Sequence, residues 1–237
     1  MSEEPPQSRV RWAAAQRIIA SRYPPIQLFE RLSDDPAEWE VLAEIEGLTN
    51  PRLRDEIGEI RLVPPEERVS GAGASWVMAS FTHVSPRGSR FSDGSYGVYY
   101  AARELATAIA ETTWHMARFY AATADPPHGE SMRVLVGRMD AAFHDLRGGD
   151  PRWAASLAPD DYTASRALGA RLRAAGSNGL VWPSVRRAGG TCLGALRPKA
   201  VGLPRQERHL EYHWNGQRID RYFDYALDRW LLLPPAA

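Results

Sequence analysis

The sequence predicts an α+β fold: a mixed, mostly antiparallel sheet built around one dominant helix, with a helical extension at the N-terminal end. Three observations carry that reading. First, residues 89–120 (SRFSDGSYGVYYAARELATAIAETTWHMARFY) pass from turn chemistry to a short strand and then to a long helical period. Second, from Glu59 onward, short β-branched and aromatic runs are separated by Gly and Pro turns without a regular βαβ alternation. Third, before Glu59 the apolar spacing is that of helices.

The elements follow in order. Residues 1–10 are acidic and proline-bearing and predict no structure. Arg11 to Ser21 predicts a helix that stops before Tyr23-Pro24-Pro25, because proline cannot continue one. Ile26 to Leu32 predicts a short helix or turn. Pro36 to Ile45 predicts a helix capped by Asp34 or Asp35, with Trp39, Leu42 and Ile45 on its apolar side. A further short helix starts at Asn50-Pro51 and runs to Ile57. Residues 1–58 thus form the helical extension, and 59–237 the sheet-bearing domain.

Glu59 to Val63 and Ser75 to Phe81 predict strands on either side of Gly71-Ala72-Gly73-Ala74. That glycine pair is not read as a dinucleotide loop: its third glycine is missing and a strand is expected where a helix should open. Val98-Tyr99-Tyr100 is strand-like. From Ala101, Leu105, Ile109, Thr112, Met116 and Phe119 fall on one helical stripe, with Glu104, Glu111, His115 and Arg118 on the face beside it. Met132 to Met139 predicts a strand, Asp140 to Asp161 a polar broken stretch, and Tyr162 to Ala175 a helix closed by Gly176. Gly179 to Val185 and Thr191 to Leu196 predict strands around a turn. His209 to Trp214 and Gln217 to Phe223 predict a hairpin across a two-residue Asn215-Gly216 turn. Asp224 to Leu233 predicts a short helix or strand.

Composition narrows the functional classes. The chain has 237 residues and a 44% hydrophobic fraction, enough for one large domain. Lys plus Arg and Asp plus Glu number 29 each, so net charge points neither to direct nucleic-acid binding nor to an acidic partner. No apolar run approaches the ~20 residues of a membrane span, and no signal segment opens the chain. The single cysteine, Cys192, allows no internal disulfide and fits a reducing cytoplasm; in the run TCLGAL it reads as a small buried hydrophobe.

The chemistry-bearing patterns are few. There is no Gly-x-Ser-x-Gly, and Ser184 has no local His or Asp partner, which speaks against a serine hydrolase. His209, Glu211 and His213 alternate onto one face of a strand; they read as solvated hairpin residues, so no metal is expected. Glu111 and His115 form an ordinary i,i+4 helix pair when taken alone. The pair gains meaning beside Arg90, Tyr100 and Ser184. If the strand ending at Tyr100 packs on the helix bearing Glu111, a guanidinium, an aromatic ring and a carboxylate converge on one cleft. Such a cleft suits a phosphorylated, cationic, aromatic ligand.

Gly88-Ser-Arg-Phe91, Gly97-Val-Tyr-Tyr-Ala-Ala102, Thr107-Ala-Ile-Ala-Glu111 and Trp182-Pro-Ser-Val-Arg186 together resemble the RES-domain family, named for an arginine, a glutamate and a serine. The match runs from about Glu59 to about Lys199. The departures are Phe91, where many members have tryptophan, and the preceding residues 1–58, which shorter members lack. The resemblance implies an ADP-ribosyltransferase-like fold and an enzyme that consumes NAD as substrate. It also implies a bacterial, cytoplasmic toxin held in check by an Xre-like antitoxin protein. On it, Arg90, Glu111 and Ser184 are the expected catalytic residues, and Tyr100 the expected stacking residue. NAD would be cleaved at the nicotinamide–ribose bond, with ADP-ribose passing to water, phosphate or a protein side chain. In that scheme Arg90 grips the diphosphate, Tyr100 stacks on nicotinamide, Glu111 faces the developing positive charge, and Ser184 bonds the carboxamide or a phosphate oxygen. Arg61 or Arg68 is expected to add a second phosphate contact. The rival readings are a non-catalytic NAD or nucleotide-binding module, favoured less because binding alone needs no carboxylate, and an interaction protein working through residues 1–58. A homo-oligomer is compatible with all of them.

Overall fold

The computed structural model describes residues 4–22, 35, 38–42 and 58–234. Its frame is one sheet of eight strands in the order β1-β2-β5-β4-β3-β6-β7-β8, with β1 also paired to β3. The strands are β1 (Gln7–Ala20), β2 (Tyr99–Ala102), β3 (His128–Asp145), β4 (Gly179–Pro183), β5 (Thr191–Ala195), β6 (Arg205–Trp214), β7 (Ile219–Asp224) and β8 (Arg229–Leu232). All pairings are antiparallel except β3–β4. The helices are α1 (Ala74–Thr82), α2 (Leu105–Thr123) and α3 (Thr163–Ala174), with short 3-10 turns between. The fold class is α+β as predicted, and α2 is the longest of these helices.

The first quarter departs from its reading. Gln7 to Ala20 is a strand, not a disordered tail running into a helix, and it lies inside the main sheet. Val10 and Trp12 point into the core; a bulge between Trp12 and Ala15 then shifts the alternation so that Ala15, Ile18 and Ala20 are buried. Three consecutive alanines at that bulge look helical locally, but the long ladder with β3 overrides propensity. Residues 39–42 are helical, with Trp39 fully buried in the main core. The helices expected at 26–32 and 50–57, and the rest of the 36–45 helix, lie outside the described residues.

Two further elements differ. Glu59 to Val63 holds a 3-10 turn rather than a strand. Ser75 to Phe81 belongs to helix α1, whose buried Ala74, Val77, Met78 and Phe81 recur at helical spacing. A helix therefore does open after Gly71 and Gly73, contrary to the ground given for rejecting a dinucleotide loop. The rejection stands on another: a 3-10 turn, not a strand, precedes the glycines. Gly73 is required by packing, since it has φ +93° and a Cβ there would meet the Pro204 carbonyl oxygen at 2.2 Å.

The remaining elements follow the prediction closely. Strand β3 is longer than expected and serves three neighbours: β6 along its first half, β4 at its end, and β1 along most of its length. The hairpin of β6 and β7 forms, and Asp224 to Leu233 is resolved in favour of strand. Its turn sits one residue later than expected: Asn215 donates to the Arg218 carbonyl at 3.1 Å, and its side chain accepts from the amides of Gln217 and Arg218.

Three apolar clusters fill the molecule. One lies between β1, β2, β3, β5 and α1, one between α2 and the β1-β3-β6 face, and one beneath α3. Helix α2 lays Ala108, Ile109 and Tyr120 on the sheet against Ile18, Val134 and Tyr212. Its adjacent face is left to line a cavity.

Candidate active site

The cavity, about 530 Å³, opens between β1, β2 and α2. On α2, Ala108, Glu111, Thr112, His115, Met116 and Phe119 line it, a stripe at i, i+3, i+4, i+7, i+8 and i+11. Ser89, Arg90 and Tyr100 line it from the turn and β2, Trp182 and Cys192 from β4 and β5, and Gln16 to Ala20 with Arg22 from β1. The volume lies within the range of small-molecule sites.

Glu111 sits at the centre of that stripe. Its Oε1 accepts from Ser184 Oγ at 2.6 Å and from Cys192 Sγ at 3.4 Å, and among the described residues no hydrogen bond reaches Oε2. Ser184 is fixed in turn, because its Oγ accepts from the backbone amides of Arg186 and Arg187 at 3.2 and 3.1 Å. Its proton is therefore committed to Glu111, and Ser184 holds the carboxylate rather than offering a donor of its own. Burial, and then the Glu111 charge, push the Cys192 thiol far above its ordinary pKa, so it remains a neutral donor.

Arg90 and Tyr100 form a second unit. The Tyr100 hydroxyl accepts from the Phe91 amide at 3.0 Å and bonds Ser89 Oγ at 2.8 Å, which ties down both neighbours of Arg90. Burial raises the Tyr100 pKa to about 12, so this hydroxyl stays protonated. Its ring stands edge-on to Trp182, with centroids 6.2 Å apart. The Arg90 guanidinium lies over the Tyr162 ring, 4.5 Å from its centroid. It donates to the carbonyls of Ala158 at 2.8 Å and of Ser156 and Pro159 at 3.4 Å each. Much of the fork that sequence reasoning assigned to a ligand is thus engaged with the 156–159 segment. Asp160 in the same segment takes bonds from Arg118 and Arg186, both 3.2 Å, and these two arginines flank the Trp114 ring.

Neither arginine expected to supply a second phosphate contact lines the cavity. Arg61 is exposed on its 3-10 turn, and Arg68 is buried elsewhere, bonded to the Val63 carbonyl and Glu40. Arg17 and Arg22 of the first quarter line it instead. Arg17 donates to the Tyr100 carbonyl at 2.9 Å and stacks on Tyr99 at 4.6 Å, while its Nε is buried without a hydrogen-bond partner. Burial lowers its pKa. Reading Arg11 to Ser21 as a helix hid this residue; the alternation of Arg9, Val10, Arg11 and Trp12 was the signal that would have placed the segment on a strand. His115 also faces the cavity. The surrounding protein mass lowers its pKa, helped by Arg186, Arg90 and Arg118 against the opposing pull of Glu111, so its imidazole is neutral at pH 7.

His209, Glu211 and His213 turn to separate partners, Gln206, Tyr225 and Asp220. Among the described residues no group of His, Cys, Asp and Glu is placed to hold a metal ion, and no helix is long and apolar enough to cross a membrane.

The sequence model of the RES domain matches residues 65–215, which include Arg90, Tyr100, Glu111 and Ser184. The chain belongs to the RES-domain family. A curated relative, "Uncharacterized protein y4oC" of Sinorhizobium fredii (strain NBRC 101917 / NGR234), is 32% identical over 218 residues, 90% of this chain and 86% of that protein. Among solved structures, the crystal structure of the M. tuberculosis MbcT-MbcA toxin-antitoxin complex aligns over 88% of this chain and 87% of that one, at 11% identity and a TM-score of 0.39. In this RES-domain chain the cavity also takes Arg17 and Arg22, which lie outside the matched segment.

Proposed function

We propose that this RES-domain protein splits NAD at the nicotinamide–ribose bond and acts as the toxin of a bacterial toxin–antitoxin pair. The observation that carries the reading is the meeting of Glu111 with Arg90, Tyr100 and Arg17 in one cavity, with Glu111 presenting one unengaged oxygen. Breaking that bond builds positive charge at the ribose, as in glycoside hydrolysis. A carboxylate held by Ser184 and Cys192 cannot rotate away, so its free oxygen is preorganised to face the charge. A sensor or mere binding module gains nothing from such a group. The diphosphate takes Arg17 and the charge of Arg90, and the nicotinamide takes the wall made by Tyr100 and Trp182.

An unchecked enzyme of this kind drains a shared metabolite, so a protein partner that closes the cavity follows from the activity. The Xre-like class of that antitoxin rests on the family resemblance alone. The test is nicotinamide release from NAD by purified protein, with water only, with inorganic phosphate and with candidate protein acceptors. Release in any arm supports the reading, and the arm that accelerates it names the acceptor. No release in any arm, from protein that binds NAD, overturns it. A companion test is growth: strong expression of the chain alone should arrest the host, and Glu111→Gln should not.

A further inference from the structure

We infer that residues 156–160 form an inhibitory strap: they hold guanidinium groups that a diphosphate would take, and the Asp160 carboxylate is the latch that an incoming nucleotide displaces. This rests on the reading of the cavity as a nucleotide site with Arg90 at the diphosphate. Toward its neighbouring arginines the strap presents four acceptors. The Ala158 carbonyl takes Arg90 at 2.8 Å, and the Ser156 and Pro159 carbonyls take it at 3.4 Å each. Asp160 Oδ1 takes Arg118 and Arg186, each at 3.2 Å, and Arg186 also reaches the Pro159 carbonyl. These arginines come from three places: the turn before β2, helix α2, and the loop after β4. The charges of all three act on His115, which lines the cavity. Guanidinium forks gathered on oxygen acceptors are the contacts that a diphosphate makes. A single carboxylate carries less charge than a diphosphate, so the exchange favours the ligand.

The tip of the strap has little else to hold it. Pro159, Asp160 and Asp161 are exposed and, among the described residues, make no backbone–backbone hydrogen bond. The 3-10 turn Pro151–Leu157 anchors one end and α3, from Thr163, the other, so the tip can swing between them. The latch itself is screened by water: the Asp160 side chain is 68% exposed and that of Arg118 59%. An exposed pair of this kind is weak. The groups beneath are held firmly. The Arg186 side chain is only 11% exposed, and its guanidinium lies on the Trp114 ring, 3.3 Å from the centroid. Its Nε and the Tyr162 hydroxyl are buried with no hydrogen-bond partner among the described residues. Buried donors are seldom left unused. Fixed donors with spare capacity, beneath a weakly held acidic cover, suit a site whose acceptor changes.

ADP serves as the probe, because it carries the diphosphate and has no nicotinamide bond to cleave. Calorimetry on the full chain should find ADP bound about 2–5-fold more tightly by Asp160→Asn than by wild type, the range that an exposed ion pair supports. Asp161→Asn is the control. It removes the same charge one residue away, from a carboxylate that accepts from the Thr163 amide and, among the described residues, from no arginine. It should leave ADP affinity unchanged. Motion is read separately from a fluorine label on Asp161→Cys, since Cys192 is buried and escapes labelling. ADP should shift the resonance of the label, and adding Asp160→Asn should shift it the same way without ADP. Absence of ADP binding, equal affinity in Asp160→Asn and wild type, an equal gain in Asp161→Asn, or a resonance that ADP leaves in place would overturn the strap. None of these readouts needs turnover. NAD left uncleaved by protein in which ADP still releases the latch would refute the cleavage reading and support the strap.

Discussion

Glu111 has one oxygen bound and one unengaged, so its substitution separates holding from catalysis. In Glu111→Gln the amide oxygen still accepts from Ser184, the helix is kept, and only the negative charge goes. Nicotinamide release should fall ~10²–10³-fold, as for loss of one aimed electrostatic group, while calorimetry finds NAD affinity largely retained. Wild-type turnover in this variant would make Glu111 an ordinary helix residue. Tyr100→Phe should fail differently. It removes the acceptor of the Phe91 amide and the partner of Ser89, and loosens the turn that carries Arg90. An unsatisfied buried group costs about 1–3 kcal/mol, so the variant should melt earlier and bind NAD more weakly. A melting temperature and affinity equal to wild type would show that the hydroxyl positions nothing. Arg90→Lys keeps the charge but loses both the fork to the 156–159 carbonyls and the face on Tyr162. It should weaken NAD binding more than Glu111→Gln does.

Among the elements, α3 shows how a distant helix sets the site. Gly169 lies on its buried face, and a Cβ there would meet the Phe91 carbonyl oxygen at 2.2 Å. Alanine is the better helix former by up to ~1 kcal/mol, yet here it must push α3 away from the residue next to Arg90. Gly169→Ala should therefore lower the melting temperature and NAD affinity together, with far-UV dichroism unchanged. A more stable protein would mean that the gap closes by harmless rotation. The dominant helix illustrates what was legible at this scale. The turn–strand–helix order of residues 89–120 and the cavity-facing Glu111 were readable, because α2 combines a plain 3.6-residue period with a turn before it. Helix α1 carried the same kind of stripe, at 74, 77, 78 and 81, but its aromatic and β-branched composition was read as strand. Periodicity outweighs composition when the two conflict.

The whole molecule depends on the ribbon of β1 and β3, and its stability at low pH should report that. Asp145 ends β3 and accepts from Ser8 of β1 at 2.7 Å and from Arg147. Burial alone would raise its carboxyl, but the hydrogen bonds from Arg147 and Ser8 outweigh it and bring the pKa to about 2. A folded pKa below the unfolded value means the stabilisation is full above about pH 4 and is lost as pH falls toward 2. Asp145→Asn should therefore be less stable than wild type at pH 7, and the difference should shrink through pH 4 to 2 in denaturant titrations. A constant difference would place the contribution in packing rather than charge.

By itself the sequence determined the α+β class, the β6–β7 hairpin, helices α2 and α3, and three residues that line the cavity, Arg90, Tyr100 and Glu111. Each of these rests on neighbours close in the chain: a period, a turn residue, a short motif. What only the tertiary structure decided depends on partners far apart. Gln7 to Ala20 is a strand because β3, more than a hundred residues later, supplies its ladder. That pairing, invisible to local propensity, brings Arg17 to the cavity and leaves Arg61 and Arg68 outside it. The committed proton of Ser184 and the occupied fork of Arg90 are likewise products of contacts 73 and 68 residues apart. Residue types announce which groups can act, and long-range packing decides which of their hydrogen bonds remain free to do so.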